Sequence, residues 1–196
     1  MRKRIPLLAA LAAGLPAFQA PQSDIVIKIM EGERPVIAVP DLRAGGAAAG
    51  LMGELNATLF RDLQESGVFR MAPKSMYPLQ IPQQPKDFVP PAETRPGQRP
   101  PQRTNPWLTD WSSPPVNANY LTIGYGAEQG GSLVLFGWLF NVNQGNVANA
   151  QVFGKLYFGT LDEAGARKTA HDFAADILEK FGQKSLAGTK IYYASN

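Results

Sequence analysis

The chain carries one histidine, His171, and it stands beside Asp172. Such a pair could be half of a catalytic triad. Neighbours on a helix, however, point about 100° apart, so these two side chains diverge rather than meet. No Gly-x-Ser-x-Gly turn supplies a nucleophile, there is no cysteine, and no acidic or imidazole residues recur at metal-ligand spacing. His171 therefore reads as structural, and Asp162-Glu163 as charges placed at a helix start. The small-residue run Arg43 to Gly50 lacks both Gly-x-Gly-x-x-Gly and Gly-Lys-Ser/Thr, so it reads as a connecting loop rather than a phosphate cradle. The expectation is a protein without enzymatic activity, cofactor or metal. A small hydrolase is the opposing reading, and it demands a deep polar pocket around His171.

The stretch better suited to function is Asp24-Ile25-Val26-Ile27-Lys28-Ile29-Met30-Glu31. Ile25, Ile27 and Ile29 alternate with Val26, Lys28 and Met30, the period of a strand with one strongly apolar face. An alternating strand with free backbone groups can add to the sheet edge of another protein, main-chain hydrogen bonds giving affinity. The same alternation equally suits a permanent strand of the protein's own sheet.

The start of the chain has the layout of a secretory signal. Arg2, Lys3 and Arg4 precede an apolar run from Ile5 to Phe18, fourteen residues and too short to span a bilayer. Residues 1–20 are read as a signal peptide, cleaved between Ala17 and Ser23, which leaves no membrane span. The formal net charge of +3 comes from this segment: without Arg2, Lys3 and Arg4, 16 basic residues face 16 acidic ones. A nucleic-acid binder keeps a basic surplus on its folded domain, so that partner is excluded. Without cysteine, the body at 21–196 must be stable through its core alone.

The elements follow in order. Arg34 to Leu42 is a nearly continuous apolar run, suited to a strand covered on both faces. Met52, Leu55, Leu59 and Leu63 mark an amphipathic helix stopped by Gly67, and Val68 to Met71 resumes an extended run. Ten of the seventeen prolines fall between Pro82 and Pro115, so about 82–118 reads as an extended, solvated insertion, with Trp107, Leu108 and Trp111 tying its far end to the core. Asn119 to Gly126, Leu133 to Val142 and Gln151 to Phe158 read as an antiparallel meander, with a turn at Asn143 to Asn146. A second helix carries Ala166, Ala170, Phe173, Ala174, Ile177, Leu178 and Phe181 on one face. Thr160 and Glu163 suggest a capping box before it and Gly182 its stop. Lys190 to Ala194 reads as a closing strand. The sum is an α+β fold: a two-layer sandwich, a mixed β-sheet with two helices packed mainly on one face.

Two stretches carry a family resemblance: Arg61-Asp-Leu-Gln-Glu-Ser-Gly-Val-Phe69, and Ala170-His-Asp-Phe-Ala-Ala-Asp-Ile-Leu-Glu-Lys-Phe-Gly182 followed by Thr189-Lys-Ile-Tyr-Tyr-Ala-Ser195. They resemble the amino-terminal domain of the TolB family, whose fold is similar to anticodon-binding domains. The Pro-rich insertion departs from that pattern, and the family's β-propeller is missing. The resemblance implies a periplasmic, non-enzymatic module of the Tol–Pal envelope system, supporting outer-membrane integrity and cell division. It implies that Asp24 to Glu31 engage a TolA-like inner-membrane protein, and that a Pal-like lipoprotein binds only if a propeller is supplied elsewhere. In that family a histidine stands at the position of His171 with no catalytic role. A stand-alone accessory of the same fold, acting on peptidoglycan synthesis or secretion, is the alternative.

Overall fold

The computed structural model describes residues 34–92 and 103–183. The expected signal peptide, the leading strand Asp24–Met30, most of the Arg95–Arg103 run and the closing strand Lys190–Ala194 lie outside the described residues.

Six strands form one open mixed sheet: β1 (Val36–Ala38), β2 (Arg43–Ala44), β3 (Arg70–Met71), β4 (Tyr120–Gln129), β5 (Ser132–Asn141) and β6 (Gln151–Thr160). The spatial order is β3-β1-β4-β5-β6, with β2 pairing further along β4. β1 is parallel to both β3 and β4, whereas β4, β5 and β6 form the expected antiparallel meander. Helices α1 (Met52–Glu65) and α4 (Glu163–Lys180) cover one face, and two single-turn helices, α2 (Thr109–Ser112) and α3 (Val147–Ala150), and three 3₁₀ turns complete the described elements. The α+β sandwich read from periodicity is the fold.

Its cause is two-sided apolar patterning. Met52, Leu55, Leu59 and Leu63 of α1 are buried against Ala166, Ala170, Phe173, Ala174 and Ile177 of α4. Both helices rest on Ile37, Tyr120, Leu133, Leu135, Leu139 and Tyr157. Each fully buried Leu, Ile or Phe contributes about 1.5–3 kcal/mol, so this layer supplies much of the stability. At Gly137 the Phe173 ring lies 3.0 Å from where a Cβ would sit, which lets α4 settle close to the sheet. Phe181 closes the end with edge-on contacts to Phe69 and Tyr120, at 4.7 and 4.8 Å between ring centres.

The strand expected over Arg34–Leu42 is regular only at Val36–Ala38, but its residues are buried on both faces as anticipated. The small-residue run is not a plain loop. Arg43–Ala44 pair in parallel with β4, and Gly46–Leu51 wind a 3₁₀ turn that leads into α1. The stretch after Asn143 to Asn146 begins with α3, capped by the Asn146 side chain accepting from the Asn149 N–H. At the start of α4 the cap is Asp162, not Thr160: Asp162 Oδ1 accepts from the Gly165 N–H at 2.7 Å, while the Thr160 hydroxyl supports it. The Gly165 N–H holds the Asp162 carboxyl below its ordinary pKa, with Thr160 adding to the effect. Gly182, at φ +76°, is the stop.

Trp107, Leu108 and Trp111 are buried and tie the far end of the insertion to the core as expected; beyond expectation, Val116, Ala118 and, at its near end, Phe88 are buried as well. They form a second core on the sheet face opposite the helices, against Val36, Ala38, Leu121, Ile123, Phe140 and Val142. The described ends of the Pro-rich segment are therefore a cover for half of that face and not a solvated excursion. Proline spacing concealed this, because the only regular structure among the segment's described residues is single turns, Pro85–Asp87 and α2, too short to leave a periodic pattern.

Candidate functional site

The cover stops part-way across the sheet. At the border of the cover the fully buried Ile123 pairs with Trp138, and beyond it cross-strand pairing aligns Tyr125 with Phe136 and Leu156, and Ala127 with Val134 and Phe158. Residues directly opposite on one sheet face touch, so these rows are continuous apolar strips. Tyr125 and Phe136 stack 4.7 Å apart with ring planes 6° from parallel, and Trp138 continues the row 6.3 Å from Phe136. Trp138 leans over β6 where Gly154 leaves room: a Cβ there would lie 2.2 Å from the indole Cδ1. Beyond them stand Leu156, 43% exposed, and Phe158, 57% exposed. This exposed apolar pair, on an ordered sheet face beside a row of stacked rings, is the candidate site.

This face runs to an edge. Among the described residues β6 pairs only with β5, so its outer backbone groups face away from the sheet along ten residues. Edges are ordinarily blunted by proline or by a projecting lysine. β6 has no proline, and its one charged residue, Lys155, is bonded to α4 while its side chain stays 57% exposed. Lys155 donates to Asp176 Oδ2 at 2.6 Å and lies over the Tyr157 ring, 5.4 Å from its centre. The Tyr157 hydroxyl donates to the same carboxylate oxygen at 2.8 Å. Burial, and then the Asp176 charge, raise the Tyr157 pKa well above its ordinary value, so this hydroxyl stays a donor.

His171 and Asp172 part company as helical geometry requires. His171 Nδ1 meets Asp62 Oδ2 of α1 at 2.6 Å, and Asp172 accepts from Lys168 at 2.6 Å. An open polar groove lies beside β3, walled by Arg34, Gln64, Arg70, Asn117 and Asn119, and His171 is not among its walls. Among the described residues no group of three or more His, Cys, Asp or Glu could hold a metal ion, and no helix is long and apolar enough to cross a membrane. The predicted binding residues Asp24, Ile25, Val26, Ile27, Lys28, Ile29, Met30 and Glu31 lie outside the described residues. The exposed row was not anticipated. Its signal was present all the same: β4 and β6 carry aromatic residues on both alternation phases, β5 carries leucines on one phase and Phe136, Trp138 and Phe140 on the other, and two helices can cover only one face.

No protein-family model matches the chain, and no curated protein matches it in sequence. Solved structures with a similar fold include TolB from Acinetobacter baumannii, 17% identical, covering 76% of this chain with a TM-score of 0.44. This chain spans 28% of that TolB. A PelC dodecamer from Paraburkholderia phytofirmans is 13% identical, covers 80% of this chain and 93% of its own at a TM-score of 0.40. The LpoB C-terminal domain from Salmonella enterica is 14% identical over 66% of this chain and 87% of its own, TM-score 0.38. At such identities these are likenesses of fold, and none of them assigns a function.

Proposed function

We propose that this chain is a non-enzymatic protein-interaction module of the periplasm. The observation that carries the reading is the open half of the second sheet face, where Leu156 and Phe158 stand exposed beside the stacked Tyr125, Phe136 and Trp138. Apolar surface of this kind is stable in water only at a cost, and a partner that covers it recovers that cost. The signal-like start of the sequence supports export, and the balanced charge of the remainder suits a protein partner rather than a nucleic acid.

In its finer form the proposal is a role in the Tol–Pal system. Asp24–Glu31 serve as a detachable strand for a TolA-like inner-membrane protein, in support of outer-membrane integrity and division. Strand addition suits the Ile25, Ile27, Ile29 alternation, which offers one apolar row to a receiving sheet. A Pal-like lipoprotein is a partner only where a propeller is supplied elsewhere. Purified full-length chain, titrated separately with a TolA-like carboxy-terminal domain and with a Pal-like lipoprotein, tests this. Binding of the first alone is the expected outcome. Tight binding of the lipoprotein alone contradicts it, and capture of a peptidoglycan synthase in place of both moves the role to cell-wall synthesis.

A further inference from the structure

We draw no further inference here: the strongest candidate, the open polar groove beside β3 walled by Arg34, Gln64, Arg70, Asn117 and Asn119, starts at the first described residue of the chain, and nothing in the structure shows what fills it.

Discussion

His171 of α4 reaches across to Asp62 of α1, Nδ1 to Oδ2, at 2.6 Å. The contact joins the two helices on their half-exposed flank, where the side chains retain 27% and 13% of their accessible surface. Arg167 makes a second bridge to Glu54 at 3.2 Å. A pair so placed loses part of its attraction to solvent screening, so its net contribution is modest. His171→Ala and Asp62→Ala, singly and together, should show a coupling of about 0.5–1 kcal/mol in denaturant unfolding. Additive losses would mean that the two side chains act independently.

Gly165 gives a sharper test, because two principles predict opposite signs. Replacing a helical glycine by alanine ordinarily stabilises by roughly 1 kcal/mol. Here a Cβ would lie 2.0 Å from the Thr160 carbonyl oxygen and 2.5 Å from its nitrogen, both backbone atoms of the strand that feeds α4. Gly165→Ala should therefore destabilise, by about 1–3 kcal/mol, as the helix start is forced off β6. A rise in melting temperature would contradict this packing.

The second core is checked at Trp111, a fully buried residue tilted against Tyr77 at 5.4 Å between ring centres. Trp111→Ala should cost about 3–5 kcal/mol, the range for deleting a large core aromatic. Its indole Nε1 is buried without a partner among the described residues, so Trp111→Phe should cost far less than Trp111→Ala. If Trp111→Ala were silent, the Pro-rich segment would be only a surface excursion.

That segment also marks where the sequence was hard to read. Periodicity found α1, α4 and the β4–β6 meander because their apolar residues recur at fixed steps over at least ten residues. Trp107, Leu108 and Trp111 sit among prolines with no such repeat, and their depth depends on which sheet face lacks a cover. β2, two residues long, pairs in parallel with the distant β4, and nothing local announces it. That His171 and Asp172 diverge was legible from helical geometry, but the partner Asp62 was not, because helix pairing sets that contact. The row from Tyr125 to Phe158 stayed hidden while each strand was read alone, and it becomes visible once register aligns them.

Buried tyrosines make stability fall at alkaline pH. Burial raises the Tyr77 pKa from 10.0 to about 12, with Asp41 adding to it, although its bond with the Val39 N–H opposes the rise. Tyr120 and Tyr157 are raised by burial as well. A folded-state pKa above the unfolded one means that the folded chain holds the proton more tightly. The contribution is complete below pH 10 and is lost as pH climbs through the folded value. For Tyr77 the loss between pH 10 and 12 is on the order of 2 kcal/mol. Denaturant midpoints measured from pH 8 to 11.5 should hold until about pH 10 and then fall. Tyr77→Phe should flatten part of that fall, and an unchanged slope would remove Tyr77 as a cause.

In the proposed function, the leading strand is given to another envelope component. Calorimetric titration of a TolA-like carboxy-terminal domain into the full chain, and into a chain lacking residues 24–31, tests it most directly. The account predicts saturable binding by the full chain and none by the deleted one, with both chains melting at the same temperature. Equal binding by both chains, or no binding by either, would contradict it.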